Sequence, residues 1–220
     1  MANPTIIVIG TGPGIGAAVA RRFGQAGYDC ALVARNADKL ESLGRQLQEE
    51  GITTGWTPLD VTDSQALTNA VTRFAEHSGE INHLHFNPSA FTDKDALELT
   101  AGELLADVGL GVASLLTAVQ AARPFLPPGA RVTATGGATA DKPWKRAASL
   151  GVQKAALRNL VAALDARLLE DDIRACSITV AGTVKPGTAF DPALIADAIY
   201  TASQSDSEFW ESEIRFDGRS

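Results

Sequence analysis

An apolar run, Thr5-Ile6-Ile7-Val8-Ile9, leads directly into Gly10-Thr11-Gly12-Pro13-Gly14-Ile15-Gly16, after which Ile15, Val19 and Phe23 recur at the spacing of one helix face. No other feature constrains the fold as much. A strand, a glycine-rich turn and a helix in that order place backbone N–H groups at a helix start. There the helix dipole favours an anion, so a pyrophosphate is bound without a charged side chain. Glycine is required because a Cβ blocks close backbone approach to the phosphates. The strand–loop–helix context favours a phosphate cradle over an ordinary glycine turn.

The alternation continues along the chain. Strands are expected at Thr5–Gly10, Tyr28–Arg35, Ile52–Asp60, Ile81–Asn87, Ala130–Gly137, Ile173–Gly182 and Glu208–Phe216, with helical periods between them. Continuous apolar runs predict strands covered on both faces, as in a parallel sheet. Asn36 is placed to cap a helix through Glu49. Thr62-Asp63-Ser64-Gln65 and Thr100-Ala101-Gly102-Glu103 read as capping boxes, and Asp191-Pro192 as another helix start. Right-handed crossovers then predict an α/β Rossmann fold, doubly wound on a mostly parallel seven-stranded sheet with helices on both faces. With no repeat or linker, residues 1–220 are expected to form a single dinucleotide-binding domain.

The chain is 45% hydrophobic and 20% charged, so a full core can form, and its net charge of -7 argues against a nucleic-acid partner. No signal-peptide pattern opens it, and no apolar run reaches the ~18 residues of a membrane helix. Cys30 and Cys176 lie in apolar strand patterns, as buried reduced thiols. A cytoplasmic protein without a membrane partner is expected.

The spacing Gly10, Gly14, Gly16 fits GxxxGxG rather than GxGxxG. With it the chain resembles the short-chain dehydrogenase/reductase family, although Ile9 stands where that family's loop begins with threonine. Further stretches follow the resemblance. Asp60-Val61 matches an adenine-contacting Asp-Val pair, and Asn87 is retained from an Asn-Asn-Ala-Gly turn. Ala181-Gly182-Thr183-Val184 matches a Pro-Gly stretch, and Asp217-Gly218 follows the last strand. The resemblance implies that Gly10, Gly12, Gly14, Ile15 and Gly16 hold the pyrophosphate. It places Asp60 and Val61 at the adenine, Asn87 on the adenosine side, and Val184 among the cofactor contacts.

A carboxylate after the second strand would accept the ribose hydroxyls of NAD and repel a 2′-phosphate. That strand ends Val33-Ala34-Arg35-Asn36, so Arg35 is expected to pair with the 2′-phosphate of NADP(H), with NAD(H) the weaker ligand.

The family's chemistry uses a tyrosine and a lysine four residues apart on one helix face. Lys154 matches the lysine and is implied to be catalytic and to hold the nicotinamide ribose, but Leu150 stands at the tyrosine position. The family's serine falls near Gly137 and its asparagine near Val108-Gly109. The other tyrosines, Tyr28 and Tyr200, cannot be shifted into register. Thr135, Ser149, His83, His85, Asp141 and Lys145 are candidates for a replacement proton donor, each with an ordinary structural reading beside it. Trp144, Phe91 and Phe190 are candidate pocket walls. The resemblance implies an NADP(H)-dependent oxidoreductase with a nonstandard active site, acting on a small carbonyl or alcohol. The alternative is a catalytically inactive NADP(H)-binding sensor or scaffold. It also implies a homodimer or homotetramer, through the helix carrying Leu157, Val161, Leu164 and Leu168 and through the last strand.

Overall fold

The computed structural model describes residues 3–219. Among them the strands β1 (Thr5–Ile9), β2 (Asp29–Ala34), β3 (Thr54–Pro58), β4 (His83–Phe86), β5 (Arg131–Gly137), β6 (Arg174–Val180) and β7 (Glu213–Phe216) form one sheet, in the order β3-β2-β1-β4-β5-β6-β7. Every neighbouring pair is parallel. The helices are α1 (Ile15–Gln25), α2 (Ala37–Glu49), α3 (Ser64–Ser78), α4 (Ala101–Val108), α5 (Ser114–Ala122), α6 (Ala148–Leu168) and α7 (Pro192–Ser203). This is the expected doubly wound α/β architecture. Strand order reverses between β1 and β4, the switch point where such sheets open a crevice.

The continuous apolar run of β1 serves both faces of the sheet. Ile6 and Val8 join Phe23, Leu40, Leu47 and Ile199 in one core, beneath α1, α2 and α7. Ile7 and Ile9 join Leu84, Phe86, Leu115 and Val161 in the other, beneath α3, α5 and α6. Cys30 and Cys176 are free and buried, and burial pushes both thiols up to about 12.

The helix starts follow local hydrogen bonding. Asn36 accepts from the Lys39 N–H, Thr100 and Glu103 form the capping box, and Asp191 caps α7 ahead of Pro192. The start of α3 differs from expectation. Asp63 is its cap, while the Thr62 N–H and hydroxyl both donate to Asp60. The nearer carboxylate captures the threonine before it can reach the helix. Every strand is shorter than expected, β3 and β7 for evident reasons. The Ile52 N–H still closes the end of α2 on Leu47, so β3 starts at Thr54. A short turn at Ser207–Phe209 delays β7 to Glu213, and the Trp210 indole donates to the Ala175 carbonyl.

One expected helix is divided by a π-helical turn at Gly109–Ala113. A Cβ at Gly111 would lie 2.2 Å from Cδ of Gln153, whose amide donates to the Asp107 carbonyl at 2.6 Å. The wider turn admits this side chain and frees the carbonyl that it meets. The whole run Ala101–Phe125 is long and apolar enough to cross a membrane by length and composition. Contrary to the sequence expectation, such a run therefore exists. Leu115, Ala118, Val119 and Ala122 within it are core residues.

A second correction concerns association. Leu157, Val161 and Leu168 pack into the core, so they cannot also form a subunit interface. The exposed apolar residues nearby are Leu105 (70% exposed), Leu116 and Val152 (47%).

Asp165 on α6 joins that helix to β6 through two bonds from Arg174, at 2.9 and 2.8 Å, and one from the Ala175 N–H at 2.7 Å. Both charges are largely buried. Asp165→Ala removes these three bonds and the buried carboxylate from Arg174 and the Ala175 N–H, and is expected to lower unfolding free energy by about 3 kcal/mol in urea titrations. A loss within the ordinary surface range, under about 0.5 kcal/mol, contradicts this account.

Candidate functional site

The glycine loop is held from three sides. The N–H groups of Gly10 and Thr11 both donate to the Val33 carbonyl at the end of β2, and the Thr11 hydroxyl donates to Val8. The Asn87 amide, just after β4, donates to the Gly10 carbonyl at 2.9 Å. Gly10 has φ +83°, and a Cβ there would sit 2.6 Å from the Pro88 nitrogen. At Gly16 a Cβ would lie 2.7 Å from the Gly10 carbonyl oxygen. These two glycines let the loop fold on itself and on the end of β4. Gly12 and Gly14 face open space, with nothing within 4 Å of a Cβ position. No side chain caps α1; the Ala17 N–H donates to Gly12 and the Ala18 N–H to Gly14, so the N–H groups of Ile15 and Gly16 are the ones left for a ligand.

Beside the loop lies a cavity of about 1040 Å³. Gly10, Gly12, Arg35, Val61 and Asn87 line it, whereas Gly14, Ile15, Gly16 and Lys154 are not among its lining residues. Arg35 is exposed and makes no ion pair among the described residues. Asp60 is placed differently from its neighbour. It is exposed and not among the lining residues, and its carboxylate accepts both bonds from Thr62. Those bonds hold it below the usual carboxylate range, with a smaller contribution from Arg35. Asn87 acts on the loop itself, since its amide is committed to Gly10. Val184 is exposed on the segment after β6 and is not among the residues lining the cavity.

Sequence reading passed over Asp38, Lys39 and Ser89, all of which line the cavity. Asp38 and Lys39 lie in the first turn of α2, just beyond the strand end where an acid was sought. Ser89 donates to the buried Gln153, which links it to the π turn. Leu110, within that turn, also lines the cavity. Only the folded helix reveals that position.

Lys154 is 6% exposed and donates to the Thr135 carbonyl at 2.8 Å. Burial pushes its ammonium down to about 8. Leu150 lies one turn earlier on α6, and Gly137 lies against the lysine stem, its Cβ position 3.5 Å from Lys154 Cγ. Tyr28 and Tyr200 both pack edge-on against Phe23, in the core of the opposite sheet face.

The candidate donors are dispersed. Asp141 pairs with Arg158 and Arg215, and Lys145 is exposed. Ser149 is buried, and its hydroxyl has no hydrogen-bond partner. His83, Thr133, His85 and Thr135 form a buried chain, with contacts of 2.7, 2.9 and 3.3 Å. Thr133 has a single proton, so it donates to one imidazole and accepts from the other. Both imidazoles are thus satisfied while neutral. Burial, followed by repulsion from His85 and Arg131, holds His83 well below its usual value, while burial and Lys154 push His85 down to about 3.

Phe190 is not a pocket wall. It lies on Gly182, where a Cβ would be 2.2 Å from its ring, and meets Phe216 edge-on. Phe91 and Trp144 do face each other, with ring centroids 6.2 Å apart, and both are exposed.

The neutral histidines make acid stability testable. Unfolded imidazoles bind protons near 6.5, whereas the folded ones resist until far lower pH. Their contribution is therefore complete above pH 6.5 and is lost as pH falls toward about 3. Urea unfolding at successive pH values is expected to show stability declining from about pH 6.5, by up to about 1.4 kcal/mol per pH unit for each imidazole. A flat profile down to about pH 5, followed by loss only where carboxylates titrate, contradicts it.

Comparison with known proteins agrees with this geometry. Residues 4–192 match the short chain dehydrogenase family. A 3-dehydrosphinganine reductase of Arabidopsis thaliana is 26% identical over 186 residues, covering 82% of this chain and 56% of that protein. Tropinone reductase-like 3 of Erythroxylum coca is 28% identical over 159 residues, covering 72% and 62%. The chain thus spans less than two thirds of the length of either. A short chain dehydrogenase from Burkholderia cenocepacia, solved in complex with NADP, superposes with a TM-score of 0.90 at 23% identity, over 99% of this chain and 97% of that one. A dehydrogenase/reductase from Sinorhizobium meliloti gives 0.91 at 21% identity, over 99% and 95%. With its glycine loop at the sheet's switch point and the family match across its first six strands, this chain belongs to the short chain dehydrogenase family.

Proposed function

We propose that the chain is an NADP(H)-dependent oxidoreductase acting on a small carbonyl or alcohol, with residues 1–220 as one dinucleotide-binding domain and a divergent catalytic centre. The observation that carries the reading is the cavity that runs from Gly10, Gly12 and Ala17 to Arg35, which makes no ion pair among the described residues. The open Cβ positions of Gly12 and Gly14 suit a pyrophosphate lying against the backbone. The relative solved with NADP and the two reductases among the curated relatives support the cofactor and the reaction class.

In this reading Gly10, Gly12, Gly14, Ile15 and Gly16 hold the pyrophosphate, Asn87 fixes their loop, and Arg35 meets the 2′-phosphate. Val61 flanks the adenine with Asp60 at its edge, Val184 lies toward the nicotinamide, and Lys154 holds the adjoining ribose. When bound, the cofactor would supply a hydride to a carbonyl carbon or accept one from the carbinol carbon of an alcohol. Lys154 has ammonium protons beyond the one given to Thr135, and with its value lowered to about 8 it gives up a proton more readily than a solvated lysine. Leu150 and Leu110 keep water from that end of the site.

One observation favours the second reading, a noncatalytic NADP(H)-binding sensor or scaffold. Leu150 provides no proton, and both tyrosines lie in the opposite core. The space at Gly137 admits a serine beside Lys154. The double variant Leu150→Tyr with Gly137→Ser is expected to gain NADPH-dependent carbonyl reduction over the unmodified chain. Binding of NADPH without any such gain contradicts a site still arranged for the reaction.

Cofactor choice is tested by calorimetry. NADPH is expected to bind more tightly than NADH, and Arg35→Ala to narrow the difference by ~1–3 kcal/mol, the scale of charge-assisted hydrogen bonds. Equal affinities in the unmodified protein contradict the assignment. Asp38 also faces this end of the cavity and opposes a phosphate, so Asp38→Asn is expected to widen the difference.

The same reading includes a homodimer or homotetramer, assembled through the exposed Leu105, Leu116 and Val152 rather than the core-facing residues of α6. Light scattering that shows only the 23.0 kDa chain at micromolar concentration contradicts it.

A further inference from the structure

A second cavity, of about 300 Å³, lies at the opposite end of the sheet, where β2, β4 and β5 begin. Tyr28, Asn82, Arg131 and Gln204 line it with Pro127 and Pro128. Arg131 is its charged member, and its electrostatics are incomplete. The guanidinium donates only to backbone carbonyls, those of Gly129, Ala130 and Ser205. Its Nε is buried without a partner. It makes no salt bridge among the described residues, although Asp172 and Asp165 attract it from beyond pairing distance.

The surroundings add to this imbalance. Arg174 stacks on the same indole as Arg131, their guanidinium carbons 5.3 and 5.0 Å from the Trp210 ring, but Arg174 has Asp165 as its counter-ion. Among the described residues Arg131 has no carboxylate within pairing distance: burial weighs most against its charge, and the attraction of the more distant Asp172 is opposed by repulsion from Arg174. Partly buried charges are ordinarily paired. The remaining lining is suited to a polar ligand. The Tyr28 hydroxyl lies within hydrogen-bond reach of Gln204, whose amide also bonds Ser203. Asn82 is already committed, to the Thr5 N–H and to Glu80. Tyr28 and Gln204 are therefore the neutral groups that can turn toward a guest.

We propose that this cavity binds a small oxyanion, a carboxylate or a phosphate, which supplies Arg131 with its missing counter-ion while Tyr28 and Gln204 donate to the remaining oxygens. A planar guanidinium presents paired N–H groups that match either oxyanion. The volume limits the guest to a small metabolite, at the lower end of ordinary ligand pockets. The site lies at the strand beginnings, whereas the glycine loop lies at the strand ends, so the two are separate.

Amide NMR on the full chain locates the anion. The probes are inorganic phosphate and then acetate at the same ionic strength, and the difference between them identifies the preferred group. Saturable shifts are expected at the Gly129, Ala130, Arg131 and Gln204 amides. Arg131→Gln should weaken them about tenfold, the loss of one charge-assisted hydrogen bond. Arg131→Lys should retain part of the affinity, and Arg35→Ala all of it. The spectra also report folding. If Arg131→Gln does not fold, Tyr28→Phe carries the test and should weaken binding without moving the rest of the spectrum. Shifts confined to Gly10–Gly16, no saturable shift at the four amides with either anion, or unchanged binding in a folded Arg131→Gln or Tyr28→Phe protein would overturn the proposal.

Discussion

The site depends on one close approach of backbone to backbone. Gly16 lies against the Gly10 carbonyl, Gly10 lies against Pro88, and the Asn87 amide closes the third side. Any Cβ at Gly10 or Gly16 would enter a neighbouring main chain, where no flexible side chain can yield. Once the loop is folded this tightly, the start of α1 faces the crevice between β1 and β4, and the open sides of Gly12 and Gly14 face outward. The sheet's reversal of direction creates the crevice, and the glycines bring the amides to it.

Away from the glycine loop, α6 carries one buried cation. Lys154 emerges from α6 between an apolar residue one turn earlier and a glycine at the end of β5, and its ammonium reaches a backbone carbonyl. Desolvation lowers its proton affinity, as for any cation moved out of water with a neutral partner. Polar chemistry nearby is redirected inward. Gln153 serves the π turn and Ser89, while His83 and His85 share the Thr133 hydroxyl and His85 also meets Thr135. The glycine loop is thus built from main chain, while α6 buries an amine against a backbone carbonyl.

Much of the fold was legible because its signals are local and periodic. The run at β1 indicated a strand covered on both faces, and Asn36, Thr100 and Asp191 marked helix starts by chemistry that acts within one turn. What escaped was competition and three-dimensional adjacency. Thr62 had two possible partners, and the nearer carboxylate of Asp60 took it. The π turn exists because Gln153, from a distant helix, needs the space at Gly111. Phe190 was offered as a pocket wall because aromatic residues suit either role; only the bare backbone of Gly182 decides for the core. The apolar stripe on α6 was read as an interface for the same reason, since periodicity reveals a buried face without saying what covers it. In the site, the glycine loop was visible by its spacing, and Lys154 only through the family resemblance. Asp38 and Lys39 were not, because their relation to Arg35 depends on how α2 leaves β2.

The most direct measurement of the central claim is a crystal structure of the protein grown with NADPH. The account predicts the pyrophosphate on the backbone of Gly12, Gly14 and Gly16 at the start of α1, the 2′-phosphate at Arg35, and the ribose next to the nicotinamide within hydrogen-bond distance of Lys154. A dinucleotide bound elsewhere on the surface, or a cavity left empty at saturating NADPH, would contradict it.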